Sequence, residues 1–418
     1  MPNNLPLNWC ECKLVDICDV YQPKTISTKE LIENGRYPVY GANGVIGKYS
    51  QYNHQEAEVL IGCRGSCGAI NESPPFSWIN GNAMVIHPKT TALLKKYLKY
   101  FLLTCNFSEY TSGVAIPQIT RKSLYPLSIP FPPLAEQERI VAKIDALFAD
   151  IDEGVECLKS AQAQIKQYRQ SVLKSAFEGK LYKTTDWKEV DITKIIANEK
   201  NALKAGPFGS ALKKEIYVAK GYKIYGQEQV ISQNPFYGNY YINKEKYQEL
   251  ISCRIKPNDI LISLVGTIGK VLILPDNVED GIINPRLLKV TLDVNLYLPV
   301  FFKFYFESQY LRSLFKMKAH GATMDVLNLS ILKELPFPLP TLSEQQRIVT
   351  EIEKRFAVAD ELEKAVNEGL EKADKLKQSI LKKAFEGKLV PQNPNDEPAS
   401  VLLACIKKSQ TPTKGKKK

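Results

Sequence analysis

Histidine is nearly missing from this chain: 418 residues contain three, at 54, 87 and 320. That is a thin supply for acid–base chemistry, and none of the three has a cysteine at a usual zinc-ligand spacing. The nine cysteines are odd in number, which excludes a fully paired framework. Neither the Cys10, Cys12, Cys18 group nor the Cys63, Cys67 pair has C-x-x-C spacing. Reduced thiols and no bound metal are therefore expected. No apolar run approaches the ~18 residues of a membrane span. Met1-Pro-Asn-Asn4 has neither the basic start nor the apolar core of a secretory leader, so we expect a cytoplasmic protein.

Catalytic signatures are also lacking. There is no H-E-x-x-H, no G-x-S-x-G and no nuclease-like carboxylate cluster. The run from Gly41 to Lys48 imitates a phosphate loop, but its outer glycines stand one residue too far apart. Tyr49 stands where Ser or Thr must bind magnesium. Ser73-Pro-Pro-Phe76 matches the amino-methyltransferase pattern, in which the polar residue holds the amino group of a flipped base. No strand, glycine loop and helix for S-adenosylmethionine precede it, so we read it as a proline-kinked surface loop. No catalytic residue is expected in this chain.

What the chain does have is positive charge and an internal repeat. The net charge is +11. Residues 1–133 carry +3, residues 182–341 carry +5 and residues 390–418 carry +4, while 134–181 and 342–389 carry −1 and 0. The excess favours an anionic partner, nucleic acid first. Ala176-Phe-Glu-Gly-Lys-Leu181 recurs as Ala384-Phe-Glu-Gly-Lys-Leu389, and Glu136-Gln-Glu-Arg-Ile-Val141 as Glu344-Gln-Gln-Arg-Ile-Val349, both at an offset of 208. From Leu124 to Leu181 there are 25 identities in 58 ungapped positions. One unit is present twice.

The repeated unit reads as a long helix. Prolines lead into it at 130–133 and 336–340, and Gly179 and Gly387 close it as left-handed stops. Thr341 and Glu344 have capping-box spacing, a cap the first copy loses to Pro133. About 44 residues make a rod of roughly 66 Å. Ile144, Phe148, Ile151, Val155, Leu158, Gln162, Ile165, Arg169, Val172 and Ala176 follow alternating spacings of four and three. Ile352, Phe356, Ala359, Val366, Leu370, Ala373 and Ile380 keep the same track. So narrow a stripe suits a coiled-coil seam, and the natural partner is the other copy, packed antiparallel so that the second helix returns the chain. Gln162 and Arg169 are polar interruptions of that seam.

The segments between the helices are built from short apolar runs broken by turn residues, such as Arg36-Tyr-Pro-Val-Tyr40 and Asp259-Ile-Leu-Ile-Ser263. They read as mixed strand and helix domains. One helix is expected over 92–106 and a counterpart over 299–316. The turn Arg64-Gly-Ser-Cys-Gly68 matches Val265-Gly-Thr-Ile-Gly269. The expected division is 1–133, 134–181, 182–341, 342–389 and a docking piece with a basic tail over 390–418. The fold class is α+β: two mixed domains joined by two long helices in an antiparallel coiled coil, with a pseudo-twofold internal repeat.

This layout resembles the specificity (S) subunit of type I restriction–modification enzymes. The resemblance is carried by residues 132–141, 340–349 and the twice-used AFEGKL. Tyr37-Pro-Val-Tyr-Gly-Ala-Asn-Gly44 and Arg64-Gly-Ser66 are similar to one kind of target-recognition domain, Gly206-Pro-Phe-Gly-Ser210 and Ile283-Asn-Pro-Arg286 to another. The resemblance implies a subunit that is not itself an enzyme. It would read a split target in double-stranded DNA, one half per domain, across a gap set by the helices. It would hold two methyltransferase (M) subunits and, in the full complex, two restriction (R) subunits. S-adenosylmethionine, ATP and Mg would then belong to those partners, with no cofactor in this chain. A stand-alone coiled-coil DNA-binding protein is the alternative, and a methyltransferase using the SPPF loop a more distant one. From composition and turn placement the DNA-contacting candidates are Lys48, Arg64, Gln118, Arg121 and Lys122 in the first domain. In the second they are Lys213, Lys214, Lys270, Arg286 and Asn328.

Overall fold

A computed structural model describes residues 5–113, 117–181, 187–208, 211–264, 269–318 and 327–410. The chain divides into two compact units, Met1–Leu158 with Glu368–Lys418, and Lys159–Asn367.

In the first unit β1 (Cys10–Lys13), α1 (Leu14–Ile17), β2 (Cys18–Tyr21), β3 (Tyr37–Gly41), β4 (Gly44–Tyr49), β5 (Val59–Gly62), β6 (Ile70–Glu72), β7 (Trp78–Ile79) and β8 (Ala83–Pro88) precede α2 (Lys95–Leu102). Then come β9 (Thr111–Ser112), β10 (Gln118–Ile119), β11 (Ser128–Phe131) and the start of α3 (Leu134–Phe177). The strands form sheets ordered β2-β8-β5-β6 and β4-β3-β7, with β1 on β11 and β9 on β10. All pairs are antiparallel except β3 with β7. The fully buried run Val59–Gly62 lies at the centre of the larger sheet, as a continuous apolar strand should.

The second unit holds β12 (Glu189–Val190), β13 (Leu203–Ala205), β14 (Tyr222–Tyr225), α4 (Gln227–Ser232), β15 (Tyr241–Ile242), α5 (Lys244–Glu249), β16 (Ile260–Ser263), β17 (Val271–Ile273), β18 (Gly281–Ile283) and β19 (Leu287–Val290). After them come α6 (Pro299–Phe306), α7 (Gln309–Lys318), α8 (Leu329–Lys333), β20 (Phe337–Pro338) and the start of α9 (Leu342–Phe385). Its sheets run β13-β19-β16-β17 and β15-β14-β18, with β12 on β20, and β14 with β18 is the parallel pair. The two topologies coincide. The registers coincide as well: Val59 faces Ile86 where Ile260 faces Val290, and Tyr40 faces Ile79 where Tyr225 faces Ile283.

The expected helix at 92–106 is shorter, covering Lys95–Leu102, and 107–110 form a separate turn capped by Asn106. The expected helix at 299–316 is two helices. The break falls at Glu307 and Ser308, where the Ser308 hydroxyl accepts from Leu311 N at 3.3 Å and starts a new helix. The turn at 265–268, Gly209, Ser210 and the lysine tail at 414–418 lie outside the described residues.

The long helices span 44 residues each. Within each unit their segments run antiparallel. In the first unit Lys377 pairs with Asp152, and Leu158 packs on Gly369. In the second Arg169 bridges Asp360 and Glu363, both at 2.7 Å, and Gln162 donates to Asn367 at 3.3 Å. The internal repeat is visible in side chains: Arg169 stands over the Phe356 ring at 5.6 Å, and Lys377 over Phe148 at 5.1 Å. Charge supports this direction. Residues 159–177 contain four basic and no acidic residues, and they meet the acidic start of α9.

Along the seam Ile144, Ile165, Val172, Ile352, Ala359, Val366 and Ile380 are buried, while Phe148, Ile151, Val155, Leu158, Phe356, Leu370 and Ala373 are half-buried. Ile144 and Ile380 also belong to the core of the first unit, and Val172 and Ile352 to that of the second. Each helix therefore starts in the core of the unit it leaves and ends in the core of the unit it reaches.

The repeated motifs explain that anchoring. Gln137 is fully buried; its Oε1 accepts from Leu94 N at 3.0 Å and its Nε2 donates to the carbonyls of Ala92 at 2.8 Å and Pro132 at 3.1 Å. Gln345 repeats the clamp with Leu298 N, Leu296 O and Pro340 O at 2.8, 2.8 and 3.0 Å. At the far ends Phe385 stacks edge-on against Tyr97 and Phe101, and Phe177 against Phe301 and Tyr305. Gly179 and Gly387 take φ of 71° and 68°, and the next residues, Lys180 and Lys388, donate back to Ser175 and Lys383. Thr341 and Glu344 form the expected capping box. Beyond it α10 (Ala399–Gln410) packs on the first unit, with Ala399 N on Asn8 O and Arg139 paired to Asp396 at 2.6 Å.

Candidate nucleic-acid interface

Coincident topology places equivalent loops together. Strands β3 and β7, and likewise β14 and β18, run parallel and end side by side. The carboxyl ends of parallel strands are where α/β sheets bind ligands. Four segments meet there in the first unit, 22–25, 41–44, 62–68 and 80–82, and in the second their described counterparts are 206–208, 226–228, 263–264 and 284–286.

Close backbone approach holds each rim. A Cβ on Gly81 would lie 2.4 Å from Thr25 Oγ1 and 2.8 Å from Pro23 O, and one on Gly206 only 1.8 Å from Asn284 O. Gln22 Nε2 ties three of the first unit's segments, donating to Gly81 O at 2.9 Å and to Cys63 Sγ at 3.0 Å. Burial pushes the Cys63 thiol up, so it stays protonated. Outward from these backbones stand Lys24, Asn43, Arg64, Ser66 and Asn82 in the first unit, and Glu228 and Arg286 in the second, all exposed. Phe208, in the second rim, is 90% exposed, far from the burial a phenylalanine usually finds.

Of the residues expected to touch DNA, the structure brings Arg64 and Gln118 together as a bridge between backbones, with Arg121 and Lys122 following in an exposed turn. Arg286 is on the second rim, and Lys270, half-buried, pairs through its carbonyl with Ser263 N at 3.1 Å. Lys48 is exposed at the other end of β4, opposite Pro38, away from the first rim. Lys213 and Lys214 are exposed beside the short turn Lys214–Ile216. Asn328 instead serves the fold, since its Oδ1 caps α8 by accepting from Ile331 N at 2.9 Å. Sequence reasoning missed Lys24, Asn82 and Phe208. The signal available was the pairing of Tyr40-Gly41 with Tyr225-Gly226 and of Ile79-Asn80 with Ile283-Asn284, at different offsets.

The SPPF loop is closed on itself. Ser73 is buried, its hydroxyl accepts from Glu58 N at 3.2 Å, and Phe76 packs edge-on against Tyr52. Gly41–Lys48 is a hairpin with no helix after it. Among the described residues Glu56, Glu58 and His87 are near enough to share an ion. Lys95 already lies 3.0 Å from Glu56 and 3.4 Å from Glu58, so their charge is met internally.

A family model for the type I restriction modification DNA specificity domain matches residues 6–157 and 187–372. The type I restriction enzyme EcoBI specificity subunit of Escherichia coli is 30% identical over 336 residues, covering 73% of this chain and 69% of the relative. The EcoDI specificity subunit of Escherichia coli is 27% identical over 99% of this chain and 98% of its own length. A solved chain from work on complex assembly and conformational transition of the type I R-M system superposes with a TM-score of 0.66. It is 19% identical and covers 93% of this chain and 100% of its own, a likeness of fold.

Proposed function

We propose, because this chain belongs to the type I restriction–modification DNA specificity family, that it reads a two-part target in double-stranded DNA, one half-site per unit. The chain is a specificity subunit. The observation that supports a two-part target is the pair of rims: one topology used twice, with different side chains on equivalent loops. Two different readers suit two different half-sites, and their separation becomes a property of the helices between them, as half-site spacing is in dimeric DNA binders. Loops on a rigid scaffold are free to vary without unfolding it.

In this reading the chain is not itself an enzyme. It carries two methyltransferase subunits and, in the full complex, two restriction subunits, with S-adenosylmethionine, ATP and Mg bound by those partners. Two copies of one helix motif supply two equivalent platforms for a twofold-related partner. The test is co-expression with the methyltransferase subunit, followed by mapping of methylated sites. The expected product is a complex that methylates an asymmetric two-part sequence. A chain that binds DNA but retains no methyltransferase would favour the stand-alone DNA-binding alternative.

A further inference from the structure

The turn after the parallel strand occupies the same register in both units, and its third residue faces outward in each: Asn82 in the first, Arg286 in the second. We propose that this is a shared base-reading position, at which Asn82 reads an adenine and Arg286 a guanine. The inference deepens, and rests on, the reading above that the chain recognises two half-sites in DNA.

The turn is locked on every side. Asn80 N donates to Tyr40 O at 2.9 Å, and Asn284 N to Tyr225 O at 2.8 Å. Ala83 N and Leu287 N close the turn on Asn80 O and Asn284 O at 2.9 and 3.2 Å. The carbonyls of the outward residues are held too: Asn82 O accepts from Cys63 N at 2.9 Å, and Arg286 O from Leu264 N at 3.0 Å. The preceding asparagines brace the turn from within. Asn80 accepts from Ile26 N at 2.7 Å and donates to Ile26 O at 3.1 Å, and Asn284 Oδ1 accepts from Arg286 N at 2.9 Å. A side chain on so fixed a backbone is pre-organised, which a specific contact requires.

The side chains themselves are free to read. Both residues are exposed, and among the described residues neither side chain has a hydrogen bond or ion pair. Their chemistries are the two that grip a purine edge at two points: arginine at guanine O6 and N7, asparagine at adenine N6 and N7. Asparagine can reach a phosphate only through an uncharged amide, without the charge assistance of lysine or arginine, so a position shared by Asn and Arg suits bases better than backbone. Backbone contacts have other candidates on the same rims, Lys24 and Arg64 in the first unit and Lys270 beside the second.

The experiment uses the full chain assembled with its methyltransferase subunits and a library of two-part duplexes, at two salt concentrations. Arg286→Asn and Arg286→Lys are compared with Asn82→Arg and wild type, with thermal unfolding as a check on folding. Arg286→Asn should abolish a guanine preference of roughly ten- to hundredfold at one position of one half-site and leave the other half-site unchanged. Arg286→Lys should weaken that preference without abolishing it, because it keeps the charge but replaces the planar fork with a single ammonium that can still bridge guanine O6 and N7. Asn82→Arg should lose an adenine preference in the other half-site alone. Uniform weakening over all sequences, with a shallower salt dependence and an unchanged target, would identify a phosphate contact and overturn the proposal. Variants with wild-type target and affinity would overturn it equally. A wild-type complex that selects no two-part target would overturn the underlying function together with it.

Discussion

Replacing Gln137 by methionine should loosen the first unit without touching its rim. Methionine keeps the length of the side chain and removes every hydrogen bond it makes. Three are lost, to Leu94 N, Ala92 O and Pro132 O, and Gln137 itself is fully buried. A buried bond of this kind contributes about 1 kcal/mol net, and an orphaned buried N–H costs more. The expected loss is therefore about 3 kcal/mol. Gln345→Met should cost the second unit the same, through Leu298 N, Leu296 O and Pro340 O. The two clamps share no partner, so the losses should add. Hydrogen exchange under native conditions separates the units, because each protects its own amides. Faster exchange in strands β5 and β8 for the first variant, and in β16 and β19 for the second, is the expected pattern. A change within about 0.5 kcal/mol for both variants would refute the clamp and leave the repeated motif without a structural reason.

The purified chain alone should neither methylate nor cut DNA, which S-adenosylmethionine transfer and nicking assays would check. Four residues inserted near Ala161 should turn the following seam by roughly 40° and lengthen the helix by about 6 Å. That is close to two base-pair steps of ~3.4 Å, so the complex should either fail to assemble or methylate the same half-sites across a longer gap. Glu344 is held below the usual carboxylate range by hydrogen bonds from the Thr341 backbone and hydroxyl. Its contribution is present above the unfolded carboxylate pKa and lost as pH falls through the folded value. Glu344 stands at the surface, where solvent screens the effect, so Glu344→Ala should cost only about 0.5 kcal/mol or less at neutral pH and less still in strong acid, as read by denaturant titration at several pH values.

The helices were the most legible part of the chain. A 208-residue offset, a four–three spacing and two terminal glycines sufficed to place both, their ends and their antiparallel pairing, because a long helix writes its geometry into one uninterrupted register. The recognition domains resisted the same treatment. Their equivalence runs through offsets of 204 for Ile79-Asn80 and Ile283-Asn284, 201 for Val59 and Ile260, and 185 for Tyr40-Gly41 and Tyr225-Gly226. Loops of unequal length between short strands erase any single register. Arg64 and Arg286 stood out as charged residues in glycine- or proline-bearing turns. Asn82 did not, since nothing local marks a short polar side chain as facing outward. Asn328 was misleading because asparagine at a loop end serves equally well as a helix cap.

Exchanging one recognition domain would test most directly whether the two units read their half-sites independently. Residues 1–133 would be replaced by the corresponding domain of a specificity subunit with another target, and the assembled complex mapped by its methylation pattern. Independent reading requires that one half of the target change while the other half and the gap are retained. A change in both halves, or in the gap, would contradict it.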